Sequence, residues 1–154
     1  MKKINEHSID FQKVSEGCGL PLEDVISFFD DGRIIGRFAE FIQKHKYNTQ
    51  RTNENSPYDV DGDNKRIEVR CITKQLSFAS SKEIGFGRKV TEEGFKEKLN
   101  NIDVYHVVDK RNINNLKIIE VTKENVEEMI NLKLIGKNKT ITSKNFFNYY
   151  DRNK

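Results

Sequence analysis

Tryptophan is absent from the 154 residues, and proline, cysteine and methionine occur only twice each. Cys18 and Cys71 lie far apart with no CxxC pair and no neighbouring histidine, so neither a disulfide framework nor a zinc site is expected. The three histidines, His7, His45 and His106, are scattered, and no HxH or HExxH spacing occurs. Apolar stretches such as Val25 to Phe29 fall far short of the ~20 residues that span a bilayer. The start, MKKINEHSIDF, carries no apolar signal segment, so no membrane association is expected and the reducing cytoplasm is the predicted location. There is no internal repeat. A chain of this length buries about 68–70% of its unfolded surface, enough for a core without disulfides, and residues 1–154 read as one domain.

What the chain has in quantity is charge, a third of all residues, and the net of +3 conceals its segregation. Residues 1–32 hold three basic against seven acidic side chains, residues 65–89 seven against two, and residues 133–154 six against one. Two basic blocks are what a polyanion partner needs, because neutralising phosphates supplies most non-specific nucleic-acid affinity. The plainer alternative is a set of solvated faces.

Periodicity divides the chain into helices and strands. GLPLEDVISFF places proline and acids at a helix start, and Asp30, Asp31 and Gly32 interrupt it. A second helix over about 33–46 has an apolar stripe of Ile34, Phe38, Phe41, Ile42 and partly His45, with Arg33, Arg37, Glu40 and Lys44 on its other side. The polar run 47–57 reads as a loop. YDVDGDNKRIEVRCIT reads as a hairpin, turning at Asp61-Gly62 or Gly62-Asp63, with a second strand over about 65–73. A Ser/Gly/Lys loop, a short helix begun by Thr91, strands over 102–109 and 116–121, and a Thr-capped helix bearing Val126, Met129 and Ile130 follow. FFNYY near the end is expected to pack on the sheet. The predicted class is α/β, a mixed central β-sheet with flanking helices.

The hairpin gathers the chemistry. Strand alternation puts Arg66, Glu68, Arg70 and Ile72 on one face and Ile67, Val69, Cys71 and Thr73 on the other, with Asp59 across the hairpin. Two carboxylates converging beside a basic side chain suit a hard divalent cation that polarises a phosphate, the parts that phosphodiester hydrolysis needs. Pro57-Tyr58-Asp59, eight residues, then Glu68-Val69-Arg70 resembles the motif of the PD-(D/E)XK nucleases, and a preceding helix bearing Glu40 extends the likeness over roughly residues 33–121.

The resemblance implies a restriction-endonuclease-like fold and a magnesium-dependent endodeoxyribonuclease acting on double-stranded DNA, of the small type II restriction kind and a homodimer if its target is palindromic. It implies that Asp59 and Glu68 hold magnesium, that the Val69 carbonyl adds a ligand, that Glu40 is an outer candidate, and that Arg70 orients water or the scissile phosphate. Lys74, Lys82, Arg88 and Lys89 are the implied DNA contacts. The sequence departs from the family at Arg70, where a lysine is expected, and arginine keeps its proton at any relevant pH, leaving only an electrostatic role. Two other readings stay open: a structure-selective enzyme like a junction resolvase, and an inactive DNA-binding or regulatory protein of the same fold.

Other residues have plainer explanations. A calcium loop started at Asp59 puts Gly62 fourth rather than sixth and Arg70 where a bidentate Glu belongs, so that reading fails. Asp61 and Asp63 suit a polar turn. Glu68 and Arg70 also suit a strand ion pair, and Glu40 also suits a helical pair with Arg37 or Lys44, which is favoured over metal contact. Gly85-Phe86-Gly87 lacks the strand-to-helix setting of a nucleotide loop and reads as part of a DNA-contacting loop. His106 reads as a satisfied sheet residue and Cys71 as a small core residue.

Overall fold

The computed structural model of the chain describes residues 1–47, 56–80, 82–83 and 89–153. In chain order the elements are β1 (Lys2–Ser8), α1 (Phe11–Cys18), α2 (Leu22–Phe29), α3 (Gly32–Lys46), β2 (Val60–Gly62), β3 (Lys65–Ile72), β4 (Gln75–Ser77), α4 (Glu92–Asn101), β5 (Val104–Asp109), β6 (Asn115–Thr122), α5 (Lys123–Asn131), β7 (Thr140–Thr142) and α6 (Ser143–Arg152). Five strands form one mixed sheet in the order β1-β6-β5-β3-β2, and β4 pairs with β7 in a separate two-stranded sheet. Only β3 and β5 run parallel, with Glu68 opposite Tyr105 and Val69 opposite His106. The other neighbours are antiparallel.

The sheet is covered on both sides because its central strands are apolar on both. Every residue of β5 is buried. Tyr105, Val107, Ile119 and Val121 face a core completed by Phe95 of α4, Val126 and Met129 of α5, and Phe146 and Tyr149 of α6. Ile67, Val69, Val104, Val108 and Ile118 face a second core, closed by Ile35 and Ala39 of α3. The aromatic run in α6 is thus core, as its sequence predicts, and leaves no ring free for stacking on bases.

Helix ends follow local chemistry. Asp31 caps α3 by accepting from the Arg33 N–H, Thr91 caps α4 by accepting from the Gly94 N–H, and Thr122 and Asn125 form a reciprocal capping box on α5.

The structure differs from the sequence expectation in three places. The buried face of α3 is Ile35, Ala39 and Gln43, while Phe41 and His45 are exposed. That rotation brings Glu40 off the solvent side and half-buries it. The hairpin turns at Asp63-Asn64, both with positive φ (51° and 59°), where Asp and Asn are tolerated. Gly62 instead ends β2 opposite Lys65, and it is a close-approach site where a Cβ would meet the Tyr47 ring. Finally, β1, α1, β4 and β7 lie in stretches whose short or polar patterns carry no clear period.

Under α3, His106 is fully buried, and its Nδ1 lies 3.1 Å from Gln43 Oε1. Its Nε2 is 3.9 Å from Glu120, which is held by Lys65 and Lys2. Burial pushes the imidazole down from 6.5 to about 4, against the pull of Glu120. The unfolded chain therefore takes up a proton before the folded one does. Stability from this group is full above about 6.5, falls as the pH drops from 6.5 towards 4, and levels off below. The loss over that window is on the order of 3 kcal/mol. Urea unfolding at pH 7 and pH 4.5 checks it: His106→Gln should flatten the difference.

Candidate active site

β2 covers only the first part of β3, pairing Val60 to Gly62 with Lys65 to Ile67. Past that point, among the described residues, no strand continues along this side of β3, and Asp59 takes over the edge. Its N–H donates to the Ile67 carbonyl at 3.0 Å, and its Oδ2 accepts from the Val69 N–H at 2.8 Å. A carboxylate thus replaces a ladder partner, and the Val69 carbonyl, which shares that edge with the Val69 N–H, lies beside it.

Glu68 projects from the adjacent face and is only 3% exposed. Its Oε1 is 2.7 Å from Arg70 and its Oε2 is 2.5 Å from the Lys98 ammonium of α4. Burial pushes the Glu68 carboxyl up, with nearby Asp59 adding to it, while Arg70 and Lys98 pull it back. Lys98 is itself 7% exposed and also donates to the Pro57 carbonyl at 2.6 Å. Burial pushes its ammonium down against the pull of Glu68. One lysine thus ties the strand carrying Glu68 to the segment leading into Asp59.

Glu40 lies on the other side of the sheet, in a separate cleft that is also lined by Arg37, Val69 and Arg70. It pairs with Arg37 at 3.0 Å, as the helical spacing predicts. It is also held high, at about 7, by burial first and then by the Asp59 and Glu68 carboxylates. Three carboxyl groups, on α3, on β3 and just ahead of β2, thus act on one another electrostatically across β3. Carboxylate oxygens and a backbone carbonyl are hard donors, of the type that suits magnesium rather than a soft metal. Among the described residues, no group of three or more acidic, histidine or cysteine side chains is already arranged as a cation cage.

The predicted basic residues fare differently. Arg70 is not aimed freely at solvent: its guanidinium bridges Glu68 and the Ala79 carbonyl at 3.2 Å. Together with the Tyr105 hydroxyl, which donates to the Phe78 carbonyl at 2.7 Å, it pins the segment after β4 over the site. Lys82 is exposed on the rim of a cleft of about 510 Å³ that is also lined by Asp59, Glu68, Ser80 and Lys98. Lys89 is exposed. Lys74 is exposed in a different cleft, with Lys110, Arg111 and Lys144. Arg88 and the Gly85-Phe86-Gly87 segment lie outside the described residues.

Lys98 is the residue that sequence reasoning missed. The signal was present: Phe95, Lys98, Leu99 and Ile102 share one helical stripe, so this lysine sits on the apolar face of its helix. A lysine there is either mispatterned or paired with a buried acid.

No helix among the described residues is long and apolar enough to cross a membrane. Compared with protein-family models, with curated proteins and with solved structures, the chain finds no match.

Proposed function

We propose that this chain is a magnesium-dependent endodeoxyribonuclease of the PD-(D/E)XK kind, hydrolysing phosphodiester bonds of duplex DNA, as a small type II restriction enzyme does. The observation that carries the reading is the Asp59 carboxylate locked onto the Val69 N–H, which sets it at an open strand edge where it lines one cleft with Glu68. A magnesium ion held there would polarise a phosphate oxygen and lower the pKa of water. Asp59 and Glu68 are its proposed carboxylate ligands, the Val69 carbonyl a third, and Glu40 an outer group.

Arg70 steadies Glu68 and carries fixed positive charge beside the reacting phosphate. It takes no proton from water. Lys82, Lys89, Arg88 and Lys74 are proposed to contact DNA, and a two-fold dimer would give one site per strand.

The bridge from Arg70 to Ala79 favours one second reading. If Arg70 serves only to hold that segment, the chain is a DNA-binding or regulatory protein of the same architecture. Incubation with plasmid and with a branched duplex, in magnesium and in EDTA, separates the possibilities. Discrete metal-dependent plasmid fragments are expected. Cleavage confined to the branch identifies a junction-selective enzyme, and no cleavage with retained binding favours the second reading.

The rim lysines give a further expectation. Lys82→Ala and Lys89→Ala should each weaken binding to all duplex sequences alike and reduce the salt dependence by about one unit, if each contacts a phosphate. Filter binding over a salt series checks this, and unchanged slopes would remove these lysines from the interface.

A further inference from the structure

Lys98 stands where a cation would have to go. Its ammonium touches a carboxylate oxygen of Glu68 at 2.5 Å and the Pro57 carbonyl at 2.6 Å, and it lines the same cleft as Asp59. The second Glu68 oxygen is taken by Arg70. Both oxygens of the central carboxylate are therefore in contact with side-chain cations, and although each keeps a further lone pair, a divalent ion binding there would meet the repulsion of two positive charges. Arg70 is fixed at its far end by the Ala79 carbonyl. Lys98 has a flexible four-carbon stem and a compact charge, and the cleft beside it has room for the swing.

Resting on the nuclease reading above, we propose that Lys98 is a built-in counter-ion that competes with the divalent metal for Glu68, holding the site closed to metal until it is displaced into the cleft. With no metal bound, the lysine offsets the charge of Glu68 and of nearby Asp59. On metal entry its Nζ leaves Glu68 and turns to the cleft, whose lining carries Glu83 and Glu97 to receive it. This makes metal binding and release of Lys98 a single event. A unit positive charge within about 5 Å of a divalent ion opposes its binding by roughly tenfold or more, even at the dielectric of water. Removing that charge must therefore tighten metal binding even though it removes a side chain from the site.

The test is manganese affinity by calorimetry, without DNA, for the natural chain, Lys98→Met and Lys98→Arg. Competition predicts that Lys98→Met binds at least tenfold more tightly than the natural chain and that Lys98→Arg stays close to it. Detectable binding in Lys98→Met alone supports it equally. Equal or weaker binding in a folded Lys98→Met overturns it while leaving the metal site in place. No binding by any of the three overturns both this proposal and the metal-dependent reading. If Lys98→Met does not fold, the Nζ chemical shift of Lys98 in the natural chain decides as magnesium is added: a saturating change supports displacement, and an unmoved resonance while metal binds refutes it.

Discussion

Glu68→Ala is expected to abolish magnesium-dependent cleavage and to destabilise the fold, and the two effects have different causes. Loss of a metal ligand accounts for the first, with a fall in rate of more than about a hundredfold. DNA binding in calcium should remain largely intact, because the clefts' basic residues are untouched. The second effect comes from Lys98, which is almost wholly buried and would keep the Pro57 carbonyl but lose its carboxylate. Removing one partner of a buried ion pair costs ~3–5 kcal/mol, which in a chain of this size lowers Tm by on the order of 10 °C. The double variant Glu68→Ala/Lys98→Met separates the causes: it should regain most of the lost stability and none of the activity. Calorimetric melting alongside a cleavage assay checks both, and full activity of Glu68→Ala would remove Glu68 from the site.

Arg70 carries the second large effect. Its Nη2 touches two acceptors at once, Glu68 Oε1 and the Ala79 carbonyl. Arg70→Ala should lower the cleavage rate on the order of a hundredfold, since removing a preorganised cation near developing charge costs several kcal/mol. Arg70→Lys keeps a positive charge beside Glu68 but has a shorter reach toward the Ala79 carbonyl, so its rate should fall between the two. Single-turnover rates at matched folding stability compare all three. If Arg and Ala turn over equally, Arg70 is a structural strut. If Arg70→Lys exceeds the natural chain by an order of magnitude or more, the position needs an amine that exchanges protons, and the natural arginine marks a weakened enzyme.

Much of this architecture is legible in the sequence where a period is strong and unbroken. The hairpin, β5, β6, α4, α5 and the buried aromatics of α6 follow from alternation, caps and apolar stripes. The convergence of Asp59 with Glu68 was also legible, from parity along β3 and the tight turn between the strands. Parity said nothing of how Asp59 is held, because a carboxylate bonding a strand N–H leaves no trace in hydrophobic pattern. The partial burial of Glu40 was not legible for a related reason. Its helical pair with Arg37 is real, but the helix is rotated by about one residue from its strongest apolar stripe, since the fully buried Gln43 answers His106. A polar side chain spent on a buried partner counts against burial in any pattern and for it in the fold. Lys98 is the same case with a charge: only its partner Glu68, thirty residues earlier in sequence, explains it.

The most direct measurement is the rate at which the purified chain cleaves duplex DNA as magnesium is titrated, with Asp59→Asn beside it. Asparagine keeps an oxygen that accepts from the Val69 N–H, so the strand edge survives while the negative charge is lost. The predicted result is cleavage by the natural chain that rises with magnesium and stops in EDTA, and a loss of about a hundredfold or more in Asp59→Asn at unchanged Tm. Equal rates for the two proteins, or no cleavage of any duplex across the magnesium range, would contradict the assignment of Asp59 and Glu68 as a hydrolytic metal site.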